Sequence, residues 1–144
     1  MPYTPTDCVR RTLSGSVNGT GIKVNSTSTG LEVHTHDAEF NQSLFDELHL
    51  WAYNSSGSAL TLTLQWGGTT SPDNLIVISL AANTFLKVVN GLHIGGNLSV
   101  NAIASTQDVV MIYGYAVSHV QVNPAKDGNY TDQDVVYYSG YTQR

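Results

Sequence analysis

Two histidines, two positions apart, come nearest to a chemical site by type and spacing. His34 and His36 belong to the alternating segment 31–36, so both side chains project from one face if that segment is a strand. With Asp37 or His49 they could form part of a zinc site. The spacing specifies no further ligands, however, and a zinc site needs more than a pair. We therefore predict no metal site and interpret both histidines as residues of an interface or a solvated face.

The other residues of catalytic type lack the partners that catalysis needs. Cys8 is the sole cysteine, and it lies in an irregular start with no histidine nearby in sequence. The glycine-rich segment 67–70 lacks the lysine of a phosphate-binding loop. Asp46 and Glu47 are adjacent, so in a strand they point to opposite faces and cannot form a carboxylate pair. We predict that the chain is not an enzyme and that it has no catalytic and no cofactor-binding residues.

Aromatic residues of the central segment suggest binding instead of catalysis. Trp66 shares one face of its strand with three leucines, so we predict that it lies in the core. Trp51 and Tyr53 alternate with apolar residues of the opposite face, so we predict that they lie on an outer face or against a second layer. Because such rings join a large apolar face to a polar tip, Trp51 and Tyr53 are predicted partner-binding residues. Stacking on a sugar is the alternative.

Composition excludes several classes of partner. The chain has 144 residues, of which 12% are charged, and a formal net charge of −5 with six Lys and Arg residues in all. So few cations argue against nucleic acid, whose binding depends on neutralised phosphates. No apolar run approaches the ~20 residues of a membrane helix, so we predict no membrane partner. Residues 1–7 lack the features of a secretory signal, and we predict synthesis in the cytoplasm.

Two-residue alternation over residues 46–118 dominates the pattern and predicts an all-β fold. We expect segments 46–54 and 60–66 to pair as an antiparallel hairpin. Segment 75–80 is apolar on both faces, which predicts a strand covered on both sides. Asn90-Gly91 is a turn signal. Strands recurring between such signals predict an antiparallel jelly-roll-like sandwich with extended N- and C-terminal arms.

We divide the chain into an N-terminal arm (1–11), a β-sandwich domain (12–118) and a C-terminal arm (119–144). Segment 37–45 breaks the alternation and predicts a single helical turn. The last segment is rich in tyrosine, which is favoured at interfaces. Its predicted partner-binding residues are Tyr130, Val135, Val136, Tyr137, Tyr138 and Tyr141. The segment is either an arm that docks on a neighbour or a last strand of the sandwich.

Three stretches together resemble the head decoration (cement) proteins of tailed bacteriophages. They are DELHLWAYNSSG (46–57), LTLTLQWGGTTSPDN (60–74) and the apolar segment 109–117. The resemblance implies a β-sandwich subunit that assembles, often as trimers, on the outside of a capsid and bridges neighbouring capsomers. It supplies no catalytic residues, and it does not extend to the two terminal segments.

From the residues and the resemblance we predict a virion structural protein that binds and stabilises a capsid lattice. Its expected partners are the major capsid protein and further copies of itself in a homotrimer, on the outer surface of the capsid. The alternative is a carbohydrate- or receptor-binding module of a phage tail or fibre, with Trp51 and Tyr53 as its stacking platform. A zinc hydrolase is a third class, and it would require stoichiometric metal.

Overall fold

A computed structural model describes residues 6–121 of the chain. They form nine strands and one short 3-10 turn. The elements are β1 (Thr6–Thr12), β2 (Ile22–Val24), β3 (Leu31–Thr35), the 3-10 turn (Phe40–Gln42), β4 (Phe45–Asn54), β5 (Leu60–Trp66), β6 (Leu75–Leu80), β7 (Phe85–Ile94), β8 (Ser99–Ala104) and β9 (Val110–Gln121). The 3-10 turn lies where segment 37–45 predicts a helical turn.

The strands form two antiparallel sheets. Sheet A has the order β1-β9-β4-β7, with β2 also paired to β9, and sheet B has the order β3-β8-β5-β6. From β2 onwards, every connection except the one between β5 and β6 crosses from one sheet to the other. A five-stranded sheet and a four-stranded sheet linked in this way form a jelly-roll-like sandwich. The prediction of an all-β, antiparallel, jelly-roll-like sandwich is confirmed.

The core lies between the sheets and is built from alternate residues of each strand. In β4 the inward residues are Leu48, Leu50 and Ala52, and all are fully buried. Three leucines of β5, at positions 60, 62 and 64, are also buried. Trp66 is half-buried and packs against this core, while its indole Nε1 donates to the carbonyl oxygen of His93 at 2.9 Å. Alternation therefore predicted the buried face of both strands.

The predicted hairpin between segments 46–54 and 60–66 is wrong. β4 pairs with β7 and β9 in sheet A, whereas β5 pairs with β6 and β8 in sheet B. The apolar faces of the two strands meet across the core, which buries both faces without any pairing between the strands. The side-chain amide of Asn54, at the end of β4, stabilises the connection that passes from sheet A to sheet B. Its Nδ2 donates to the carbonyl oxygens of Ser58, Leu80 and Ala81.

The predicted N-terminal arm (1–11) is also wrong over its described part, residues 6–11. Thr6–Thr12 form β1 and pair with residues 115–121 of β9. β1 and β2 share one side of β9, so backbone pairing holds the segment although its side chains show no apolar alternation. At the other end, β9 runs to Gln121, so residues 119–121 belong to the sandwich and not to a C-terminal arm. Residues 122–144, with all six partner-binding residues predicted there, lie outside the described residues.

Two further expectations fail at the edge strands. Segment 75–80 is β6, the edge of sheet B, and Val77 is 65% exposed, so the strand is not covered on both sides. Asn90-Gly91 lies inside β7 and makes no turn. Gly91 is instead the extra residue of a β-bulge, and its φ of +84° explains the glycine. Such bulges interrupt an exposed edge that could otherwise pair with another chain.

Candidate interaction surface

The outer side of sheet A carries an unusual concentration of aromatic and histidine side chains, which we call the aromatic face. Because side chains alternate along a strand, the odd-numbered residues of β4 and β9 point to this side. Neighbouring strands β1 and β7 add side chains at its two margins. The face consists of Cys8, Arg10, Phe45, Glu47, His49, Trp51, Tyr53, Phe85, Lys87, His93, Tyr113, Tyr115, Val117 and His119.

Glu47 links two histidines of the aromatic face. Its Oε2 accepts from Nε2 of His49 at 2.7 Å, and its Oε1 accepts from Nε2 of His119 at 3.0 Å. The hydrogen bond from His119, followed by the one from His49, holds the pKa of Glu47 below its usual value. The carboxylate therefore stays ionised, and it fixes both imidazole rings with their Nε2 protons directed at it.

Stacking fixes the neighbouring rings. Phe45 stacks on His93 with centroids 4.2 Å apart and on His119 at 4.4 Å. His49 stacks on Tyr115 at 5.0 Å. Gly114 allows β4 and β9 to approach at this point, because a Cβ there would collide with the carbonyl oxygen of His49. The rings form a preorganised surface, so binding to it would order few side chains.

Cations cover two of the aromatic rings. The guanidinium of Arg10 lies 4.4 Å from the centroid of Tyr115, and the ammonium of Lys87 lies 4.7 Å from that of Trp51. Trp51 and Tyr53 occupy the outer side of β4, as the sequence predicts. A sugar ring would have to displace Lys87 before it could stack on the outward face of Trp51. The coverage therefore argues against Trp51 as a sugar platform.

Exposed apolar side chains lie where the aromatic face meets the β7 edge. Phe85 is 56% exposed and contacts Tyr113, itself 36% exposed, edge to face with centroids 6.0 Å apart. Leu86 and Leu92 of the same strand are also exposed, but they pair with Ala52 and Leu48 and therefore lie on the other side of sheet A. Contiguous exposed apolar residues bordered by polar ones are typical of interaction sites. This end of the aromatic face offers a partner the most apolar surface to bury.

The predicted histidine pair does not lie on a surface. His34 and His36 are 1% and 2% exposed, so their interpretation as interface or solvated residues is wrong. His34 donates from Nε2 to Asp46 Oδ2 at 2.6 Å and accepts at Nδ1 from the backbone N–H of Ser14. His36 accepts at Nδ1 from a backbone N–H, and its Nε2 lies 3.2 Å from both oxygens of Ser43. Both rings use both nitrogens in protein contacts.

Asp46 is the centre of this buried cluster, which joins the two sheets. Its Oδ1 accepts from Ser118 Oγ at 2.7 Å, while His34 reaches its other oxygen from sheet B. Burial raises the pKa of Asp46, but the hydrogen bonds from His34 and Ser118 outweigh it, so the pKa lies below the usual value. No lone pair of His34 is directed at Ser118, because the carboxylate lies between them. The cluster is not a serine nucleophile with its base.

Several residues of the aromatic face were missed from the sequence. Phe45, Glu47 and His49 lie in the same alternation as Trp51 and Tyr53, so that periodicity could have identified them. No local signal identifies the β9 side chains that meet them, since these depend on pairing over about seventy positions, as between Glu47 and Val117.

Cys8 differs most from its sequence prediction. The cysteine lies on β1, directly opposite His119 of β9, with Sγ 3.5 Å from Nδ1 of that histidine. No histidine is near Cys8 in sequence, but the pairing of β1 with β9 supplies one from more than a hundred positions away.

Over residues 6–121, no group of three or more His, Cys, Asp or Glu side chains is arranged to hold a metal ion. Within the same range, the structure contains no helix of the length and hydropathy needed to span a membrane.

No family model matches the chain, and no curated protein matches it. Among solved structures, the chain is similar to the coat protein of tobacco streak virus, whose structure is that of a dimer. The sequence identity is 15% and the TM-score is 0.40, over 86% of this chain and 90% of that chain. A likeness of this size carries no argument about function, which has to be inferred from the surface of this chain.

Proposed function

We propose that this chain is a virion structural protein that binds a capsid lattice as a decoration protein, with the major capsid protein as its partner. The observation that carries the proposal is the aromatic face, whose rings are fixed by internal contacts and whose β7 end exposes Phe85 and Tyr113. Aromatic residues and arginine are enriched in protein interfaces, and rigid ones lose little entropy on binding. Jelly rolls occur in viral capsid proteins and in lectins, which is an argument from analogy only.

Charge and architecture favour a protein partner over a substrate. The aromatic face is a side of a sheet, and its ionisable groups pair with one another, as Glu47 does with His49 and His119. Such pairing leaves few unsatisfied charges to desolvate when a flat partner surface covers the face. The outer surface of a capsid would then be the location of the bound protein.

The tyrosine-rich C-terminal segment is proposed as a second contact. β9 ends at Gln121, and residues 122–144 follow with Tyr137 and Tyr138 as the proposed anchors. An arm and a sandwich face that bind together gain affinity by multivalency, and a homotrimer would multiply the gain. Light scattering of the free protein tests the trimer.

The first test replaces exposed residues of the aromatic face. Phe85→Ser and Tyr113→Ser should each weaken binding to capsids stripped of the native protein by at least about tenfold, because exposed aromatic anchors contribute about 2 kcal/mol or more to many interfaces. Co-sedimentation over a concentration series gives the dissociation constants. Val17→Ser is the matched control, since Val17 is 71% exposed but lies in the loop between β1 and β2.

Equal binding by the wild type and both variants would contradict a docking role for the aromatic face. Binding of the wild type to a glycan array, with loss in Phe85→Ser, would favour the carbohydrate-binding alternative over the capsid.

A further inference from the structure

Cys8, His119 and Glu47 form a connected series on the aromatic face whose chemistry goes beyond the proposed docking role. The three residues come from β1, β9 and β4, which are neighbours in sheet A. The thiol Sγ lies 3.5 Å from Nδ1 of His119, and Nε2 of the same ring lies 3.0 Å from Glu47 Oε1. A nucleophile, a base within reach and a group that orients the base are the elements of an activated nucleophile.

The proton positions suit that role. An ionised carboxylate only accepts hydrogen bonds, so His119 carries its proton on Nε2 and directs the lone pair of Nδ1 at the thiol. The hydrogen bonds of Glu47 lower its pKa, which keeps the carboxylate ionised. Stacking on Phe45 fixes the plane of the imidazole. Cys8 itself is exposed, so an electrophile reaches the sulfur directly.

Charges around the thiol are mixed. The backbone N–H of Cys8 donates to Asp7 Oδ1 at 2.8 Å. Arg10 lies two residues along the same side of β1, and His93 lies with its ring centroid 6.0 Å from that of His119. Asp7 and Arg10 thus place charges of both signs near the thiol, and His119 is the base that contacts the sulfur.

We propose that Cys8 is a reactive thiol that undergoes exchange with small disulfides, with His119 as the base and Glu47 as the positioning residue. The proton of the thiol passes to Nδ1 of His119 as the sulfur attacks one sulfur of the disulfide. The disulfide bond breaks, a new bond forms between Sγ and the attacked sulfur, and the leaving thiolate takes the proton from His119. No external oxidant or reductant is consumed. Because Cys8 is the only cysteine, no second thiol of the chain resolves the mixed disulfide.

The test measures the rate of exchange with 4,4′-dithiodipyridine, an uncharged disulfide, at neutral pH. Wild-type protein should react at least about tenfold faster than His119→Gln, because a positioned base typically contributes about 10²–10⁴-fold. Glu47→Gln should lose a smaller part of the rate, because the base remains but its orientation is no longer fixed. Cys8→Ser should give no adduct by mass spectrometry.

Two controls separate activation from other effects. Val17→Ser changes an exposed residue outside the aromatic face and should leave the rate unchanged. In guanidinium chloride the wild type and His119→Gln should react equally, since the unfolded chain does not bring the histidine to the thiol. A native wild type that reacts no faster than either His119→Gln or its own unfolded form would overturn the proposal. The comparison of native with unfolded wild type remains decisive even if a variant fails to fold.

Discussion

Replacing His34 with leucine is expected to lower the free energy of unfolding by about 3–5 kcal/mol, the usual loss when one partner of a buried pair is removed. Asp46 is fully buried, and in the variant its charge keeps only serine hydroxyls as partners. Chemical denaturation at neutral pH measures the loss.

A second substitution makes this prediction specific. Adding Asp46→Leu to His34→Leu removes the unpaired charge, so the double variant should be more stable than the single variant. The single variant Asp46→Leu completes the comparison. If the stability loss of the double variant equals the sum of the losses in His34→Leu and Asp46→Leu, the pair is not coupled and this account of the buried cluster is wrong.

The effect of His34→Leu should depend on pH. In the wild type the pKa of Asp46 is lowered, so its contribution is complete above the usual carboxyl pKa and is lost as the pH falls towards the lowered value. In the variant, burial without the histidine raises the pKa of Asp46, which favours the folded state at low pH. The difference in stability should therefore shrink between about pH 7 and about pH 4. A difference that grows over this range would contradict the assignment.

Leu62→Ala is expected to cost about 2–5 kcal/mol, whereas Thr63→Ala should cost well under about 1 kcal/mol. Leu62 is fully buried between the sheets, and its removal leaves a cavity that the paired strands cannot close. Thr63 is the matched control, because it lies on the same strand and points to the other side of sheet B. Urea titrations of the two variants give the comparison. Equal losses would mean that the faces of β5 are assigned the wrong way round.

Faces were predictable from this sequence, and strand partners were not. Alternation in Leu60, Leu62 and Leu64 reports which side of a strand is apolar, and all three are buried as predicted. Alternation does not report whether the next strand in sequence lies in the opposite sheet, across the core, or pairs with the first strand in the same sheet. Segments 46–54 and 60–66 therefore looked like a hairpin although they lie in opposite sheets.

The candidate sites show the same division. Trp51 and Tyr53 were placed correctly because their own strand determines their side. The contact of Cys8 with His119 depends on the pairing of β1 with β9, which no local pattern encodes. Burial of His34 likewise depends on a carboxylate from the other sheet.

The capsid role is tested most directly by quantitative mass spectrometry of purified virions whose genome encodes this chain. A decoration protein should be present in many copies, in a fixed ratio to the major capsid protein, and should be released by mild denaturant before the shell dissociates. Absence of the chain from the particles, or a few copies that purify with the tail, would contradict the proposed function.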